Sequence, residues 1–206
     1  HPEYINLGVI HGDLVTDGSS SSYNPITPSA INDCGFDYLA IGHIHKRTAI
    51  DKIGKTHFAY CGCPDGMGFD EVGTMGVYMG NVSQNGCQLS FVETSSRRYI
   101  IENFDISSFT DSFGASEAIL SYIKTKFDTN YANNLYRINL VGTLPAYTSI
   151  DPWQIKRTLS KEVYFIDVFD STEADISNIS ALESETSLRG IFVKKMLDKI
   201  STAQGD

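Results

Sequence analysis

The chain has 206 residues, a length that fits one ordinary domain or one sheet-containing core with a small second module. With 41% hydrophobic and 20% charged residues it has the composition of a folded globular protein, which excludes the disordered and fibrous classes. A formal net charge of -9 excludes nucleic-acid binding by overall attraction, because that affinity comes from Lys and Arg neutralising phosphates; any such contact must be local.

No apolar run approaches the roughly 20 residues that cross a bilayer, and the first residues do not resemble a signal peptide. The expected location is therefore cytoplasmic, with no membrane partner. Cys34, Cys61, Cys63 and Cys87 form no C-x-x-C pair and are read as free thiols. The Cys61-Gly62-Cys63 spacing admits a soft metal site, but without a second pair it favours small buried side chains. Because His1 replaces an initiating Met and a strand-like run follows at once, we expect the start to be cut from a longer polypeptide.

In chain order, Ile5 to Ile10 (INLGVI) is apolar throughout and predicts a strand buried on both faces. Its end delivers His11, Gly12 and Asp13 to a sheet edge, where α/β proteins keep their chemistry. After a Ser- and Gly-rich loop, Thr27-Pro28 predicts the N-cap and first position of a short helix to Cys34, closed by Gly35. Tyr38 to Ile41 (YLAI) predicts a second buried strand, ending in Gly42-His43-Ile44-His45. From Thr48 to Phe104 the pattern changes to antiparallel hairpins, with Asn85-Gly86 as a turn, and reads as the second sheet of a sandwich.

A polar stretch places a module boundary near residue 106. Beyond it, Ala115, Ile119, Ile123 and Phe127 recur as one helical face, and Leu135 to Val141 reads as a strand. Asp151-Pro152-Trp153-Gln154 starts another helix, with Trp153 as a core anchor rather than a base-stacking platform, and Val163 to Phe169 is a partner strand. Residues 171–184 read as an acidic linker, and Leu188, Phe192, Met196 and Ile200 define an amphipathic helix. The expected organisation is an α/β core over 1–105, a small α+β module over 106–172, and a linker with a C-terminal helix over 173–206.

His43 and His45 are one residue apart, so in extended chain both side chains project from one face and reach neighbouring metal ions. With His11 at the end of the adjacent strand, three imidazoles would converge on one edge; the competing reading is turn histidines satisfied by backbone hydrogen bonds. His57 lies in a hairpin and is read as structural. Lys46 and Arg47 follow the motif as candidate phosphate contacts, with solvated surface charge as the alternative.

The stretch Asp37-Tyr38-Leu39-Ala40-Ile41-Gly42-His43-Ile44-His45-Lys46 resembles the G-H-x-H signature of calcineurin-like metallophosphoesterases, in the form used by SbcD-type DNA repair exonucleases. Tyr60-Cys61-Gly62-Cys63-Pro64, Gly68-Phe69-Asp70-Glu71, Gly76-Val77-Tyr78 and Arg97-Arg98-Tyr99 are similar to that group's downstream segments. Ser22-Tyr23-Asn24-Pro25-Ile26 is similar to a segment of a Firmicutes-type subgroup, and the likeness covers residues 5–104. It implies the C-terminal half of a four-layer αββα sandwich followed by a capping module. It also implies two divalent ions, usually manganese, one bound by His11 and His43 and the other by His45.

The family's D-x-H, G-D-x-x-D and G-N-H-D/E motifs are absent from the chain, so its bridging aspartate is missing. Three neutral imidazoles do not offset the repulsion of two divalent cations. Asp13, Asp37 and Asp65 are poorly placed to substitute, and a single zinc or nickel ion is the simpler occupant. The chain alone is therefore expected to be inactive. The parent is expected to be a DNA exonuclease of double-strand-break repair, with DNA as substrate. The alternatives are a phosphoesterase acting on nucleotides or phosphoproteins, and a non-catalytic module docking an SMC-like ATPase through Leu188, Phe192, Met196 and Ile200. A homodimer is left open.

Overall fold

The computed structural model describes residues 4–145, 148, 150–175 and 186–203. It is a mixed α/β structure with four α-helices among the described residues. The chain divides into two compact units, one of residues 1–101 with 129–137 and 163–166, the other of 102–128, 138–162 and 167–206. Among the described residues, no helix is long and apolar enough to cross a membrane.

The first unit is built on a four-stranded sheet. β1 (Leu7–His11) runs parallel to β4 (Tyr38–Gly42), which runs parallel to β6 (Thr56–Tyr60), and β5 (Asp51–Ile53) closes the far side antiparallel to β6. Parallel neighbours need a crossover. Between β1 and β4 it contains the parallel pair β2 (Asp13–Leu14) and β3 (Pro25–Ile26), then helix α1 (Pro28–Asp33). Thr27 caps α1 by accepting the Ala30 N–H at 3.2 Å, and Pro28 fills the first turn, where a missing N–H costs nothing. Ile26, Ile31, Leu39, Ile41, Phe58 and Tyr60 form the core against one face of this sheet.

The expectation that the first strand is buried on both faces is corrected. β1 is an edge strand with Leu7 59% and Val9 87% exposed, while Gly8 between them is buried. An apolar run carries no information about which side a strand's neighbours occupy. The second sheet of the sequence reading also resolves differently. β5 and β6 join the first sheet, β7 (Gly76–Ser83) and β8 (Gly86–Glu93) form a hairpin of their own, and β9 (Tyr99–Asp105) joins β10 (Leu135–Val141) and β12 (Phe165–Asp170) in the order β12-β10-β9.

In the second unit, α2 (Ser112–Phe127) buries Ala115, Ile119 and Ile123, and α3 (Pro152–Leu159) packs on it through Ile155 and Leu159. Asp151 caps α3 by accepting the Trp153 N–H at 3.0 Å. Trp153 is not a core anchor; it is 74% exposed, because the buried stripe of α3 passes through Ile155 and Leu159 and leaves its ring outside. Of the expected acidic linker, β13 (Glu173–Asp175) instead pairs with β11 (Thr143–Pro145), and 176–185 lie outside the described residues. Helix α4 (Leu188–Ala203) follows, with Leu188, Phe192, Met196 and Ile200 all exposed.

Candidate metal centre

The register of the parallel sheet sets His11 opposite Gly42, so His11 and His43 stand at the ends of neighbouring strands. Their rings meet edge to face with centroids 5.3 Å apart. Gly42 makes the approach possible, since a Cβ there would lie 3.2 Å from His11 Nδ1. His43 adopts φ +116°, a backbone region that costs a side-chain-bearing residue roughly 1–3 kcal/mol and persists only where the surroundings enforce it. The Tyr23 ring stacks on His43 at 4.8 Å and contributes to that enforcement.

The segment after β1 is tied down by residues of the two similar segments. Asn24 Nδ2 donates to the His11 carbonyl at 2.9 Å, and the Asp13 N–H donates to the Tyr23 carbonyl at 3.0 Å. Tyr60, buried at the end of β6, donates its hydroxyl to the Gly12 carbonyl at 2.8 Å and accepts the Leu14 N–H at 2.9 Å. Burial raises the Tyr60 phenol above its ordinary range, so it stays a neutral donor. The two histidines are therefore held by packing and backbone hydrogen bonds on rigid strand ends.

His45 lies in a different environment. It is exposed, and its Nδ1 is hydrogen-bonded to Glu71 Oε1. Glu71 Oε2 accepts the Met67 N–H at 2.8 Å and lies 3.7 Å from Cys63 Sγ. The ligating atoms of His45, Cys63 and Glu71 all lie within 4.8 Å of one another, and among the described residues no other set of three His, Cys, Asp or Glu side chains gathers this closely. The bonds to His45 and to the Met67 N–H hold the Glu71 carboxyl below its usual value, while burial, then the Glu71 charge, pushes the Cys63 thiol up.

The structure thus brings His11 and His43 together and gives His45 a separate set of partners. Lys46 and Arg47 are exposed beside His45, with the Arg47 guanidinium 3.9 Å over the Phe91 ring. Asp37, at the opposite end of β4 from His43, accepts the Asn6 N–H at 2.8 Å, a structural role. Asp13 begins β2, and Asp65 accepts the Gly66 N–H at 3.0 Å. Sequence reasoning missed Tyr23 as the stacking partner of His43, and missed Glu71 and Cys63 as partners of His45. Glu71 is 26 residues from His45, and no local spacing rule links them. No protein-family model matches the chain, and no curated protein matches it.

Proposed function

We propose that this chain is a portion of a two-metal phosphodiester hydrolase, a DNA exonuclease of double-strand-break repair acting in the cytoplasm, and that its core is the C-terminal half of a four-layer αββα sandwich. The observation that carries the reading is the contact of His11 and His43, 5.3 Å between ring centroids, at the ends of adjacent parallel strands. The G-H-x-H signature and the two segments that tether it, Ser22 to Ile26 and Tyr60 to Pro64, add to it.

The donor set fits part of such a centre. Two imidazoles on rigid strand ends suit a divalent transition metal, while among the described residues no carboxylate joins them in a set of three ligands. His11 and His43 are assigned to one ion and His45 to the other. The bridging carboxylate is assigned to residues outside this chain. The ions, when bound, supply Lewis-acid stabilisation of the phosphoryl group. This chain's residues orient that chemistry: Tyr23 restricts the His43 ring, Tyr60 fixes the turn after His11, and Lys46 and Arg47 offer positive charge beside His45.

The substrate class is tested by giving the native-length polypeptide linear DNA, nucleoside monophosphates and a phosphopeptide in manganese buffer. Release of nucleotides from DNA supports the exonuclease reading. Turnover of the other two alone replaces it with a general phosphoesterase.

A second reading is favoured by α4, whose Leu188, Phe192, Met196 and Ile200 are exposed, an apolar set of the kind that marks interaction surfaces. It assigns α4 to docking an SMC-like ATPase. Truncation after residue 184 is expected to abolish co-purification of that ATPase, and unchanged co-purification removes the assignment.

A further inference from the structure

We infer that His45, Cys63 and Glu71 form a binding site of their own for a single thiophilic divalent ion of the zinc class. The three ligand atoms supply one nitrogen, one sulfur and one oxygen within 4.8 Å of one another, a mixed set that suits tetrahedral zinc. Manganese and magnesium are harder ions with little affinity for a thiolate, so Cys63 selects against them. Three protein donors leave a fourth position open, as in zinc sites that bind water or a substrate atom.

The backbone of the site is in place before any ion arrives, and an ion would replace the hydrogen bond between His45 Nδ1 and Glu71 Oε1. The Cys63 N–H donates to the His45 carbonyl at 3.2 Å, locking the two ligand-bearing loops backbone to backbone. Gly62 makes that approach possible: its φ is +79°, and a Cβ there would lie 2.7 Å from the His45 carbonyl oxygen. The Met67 N–H holds Glu71 Oε2, the outer-shell bond that orients a ligating carboxylate. Met75 Sδ lies 3.7 Å from Cys63 Sγ and adds a second soft atom. His45, Gly62, Cys63, Glu71 and Met75 line a cavity of about 360 Å³ that also takes in Arg47.

The site claims His45, which the hydrolase reading gives to its second ion, so the two ions exclude one another at that ligand; neither Cys63 nor Glu71 belongs to the His11 and His43 pair, and the site is tested without reference to hydrolysis. The test is titration of the reduced, metal-stripped full chain with cobalt(II), followed by absorbance, and with zinc in competition. The expected result is one thiolate-bound equivalent, seen as a thiolate-to-cobalt charge-transfer band that zinc abolishes and manganese does not. C63S should eliminate the band, and E71Q should weaken binding about tenfold or more while keeping the band. His11→Ala should leave the charge-transfer band unchanged. Circular dichroism of each variant separates loss of the site from loss of the fold. No stoichiometric cobalt binding by the wild-type chain, or a band that survives C63S, overturns the inference whether or not the parent is a hydrolase.

Discussion

His43 combines a candidate ligand side chain with a costly backbone. At φ +116° it occupies a region that glycine enters freely, and the strain of roughly 1–3 kcal/mol is retained although it weakens the fold. His43→Gly is therefore expected to raise stability to urea by about 1 kcal/mol, since the entropy of the added glycine offsets part of the relief, while metal binding at the His11 edge falls. A variant less stable than the parent would show that the Tyr23 stack outweighs the strain. Asp37 illustrates the opposite case, a residue of the similar stretch whose work is structural. The Asn6 N–H, then Lys55, hold its carboxyl below the ordinary 3.8. A carboxylate whose folded value is depressed stabilises the fold above its unfolded value, and that contribution is lost as pH falls through the folded one. Asp37→Asn should therefore be less stable than the parent at neutral pH, and the difference should shrink on acidification to about pH 3. Urea midpoints at the two pH values check this, and a constant difference would mean the charge plays no part.

At the scale of elements, Tyr60 connects the end of β6 to the turn after β1. Tyr60→Phe removes one acceptor and one donor at a buried position and leaves the Leu14 N–H and the Gly12 carbonyl unpaired. A loss of about 1–3 kcal/mol is expected in chemical denaturation, and a neutral result would mean that water replaces the hydroxyl. Strands and helices with strong local signals were legible in the sequence: Thr27-Pro28 starts α1, Asp151-Pro152 starts α3, and the Ala115, Ile119 and Ile123 repeat is the buried face of α2. The pairing of strands was not. Hairpin periodicity gives no hint that β6 lies parallel to β4, because sheet order depends on contacts between distant segments. The edge position of β1 and the exposure of Trp153 were hidden for the same reason. The site was half legible. His11 and His43 were readable as strand ends, whereas the Glu71 contact to His45 requires the loop that carries Met67 to fold back.

For the whole molecule, a net charge of -9 means that the proposed DNA substrate would be approached against the protein's mean field, and contact would fall to local cations such as Lys46 and Arg47. Specificity for a phosphodiester would then rest on the metal centre more than on the surface around it. The most direct test is manganese-dependent hydrolysis of a simple phosphodiester by the native-length polypeptide, comparing the parent with His43→Ala. Turnover that requires manganese and falls on the order of a hundredfold or more in the variant is the predicted result, since loss of a direct ligand should exceed the loss caused by outer-shell changes. Absence of manganese-dependent turnover in the parent, or turnover that His43→Ala leaves intact, would contradict the assignment of His11 and His43 to a hydrolytic metal centre.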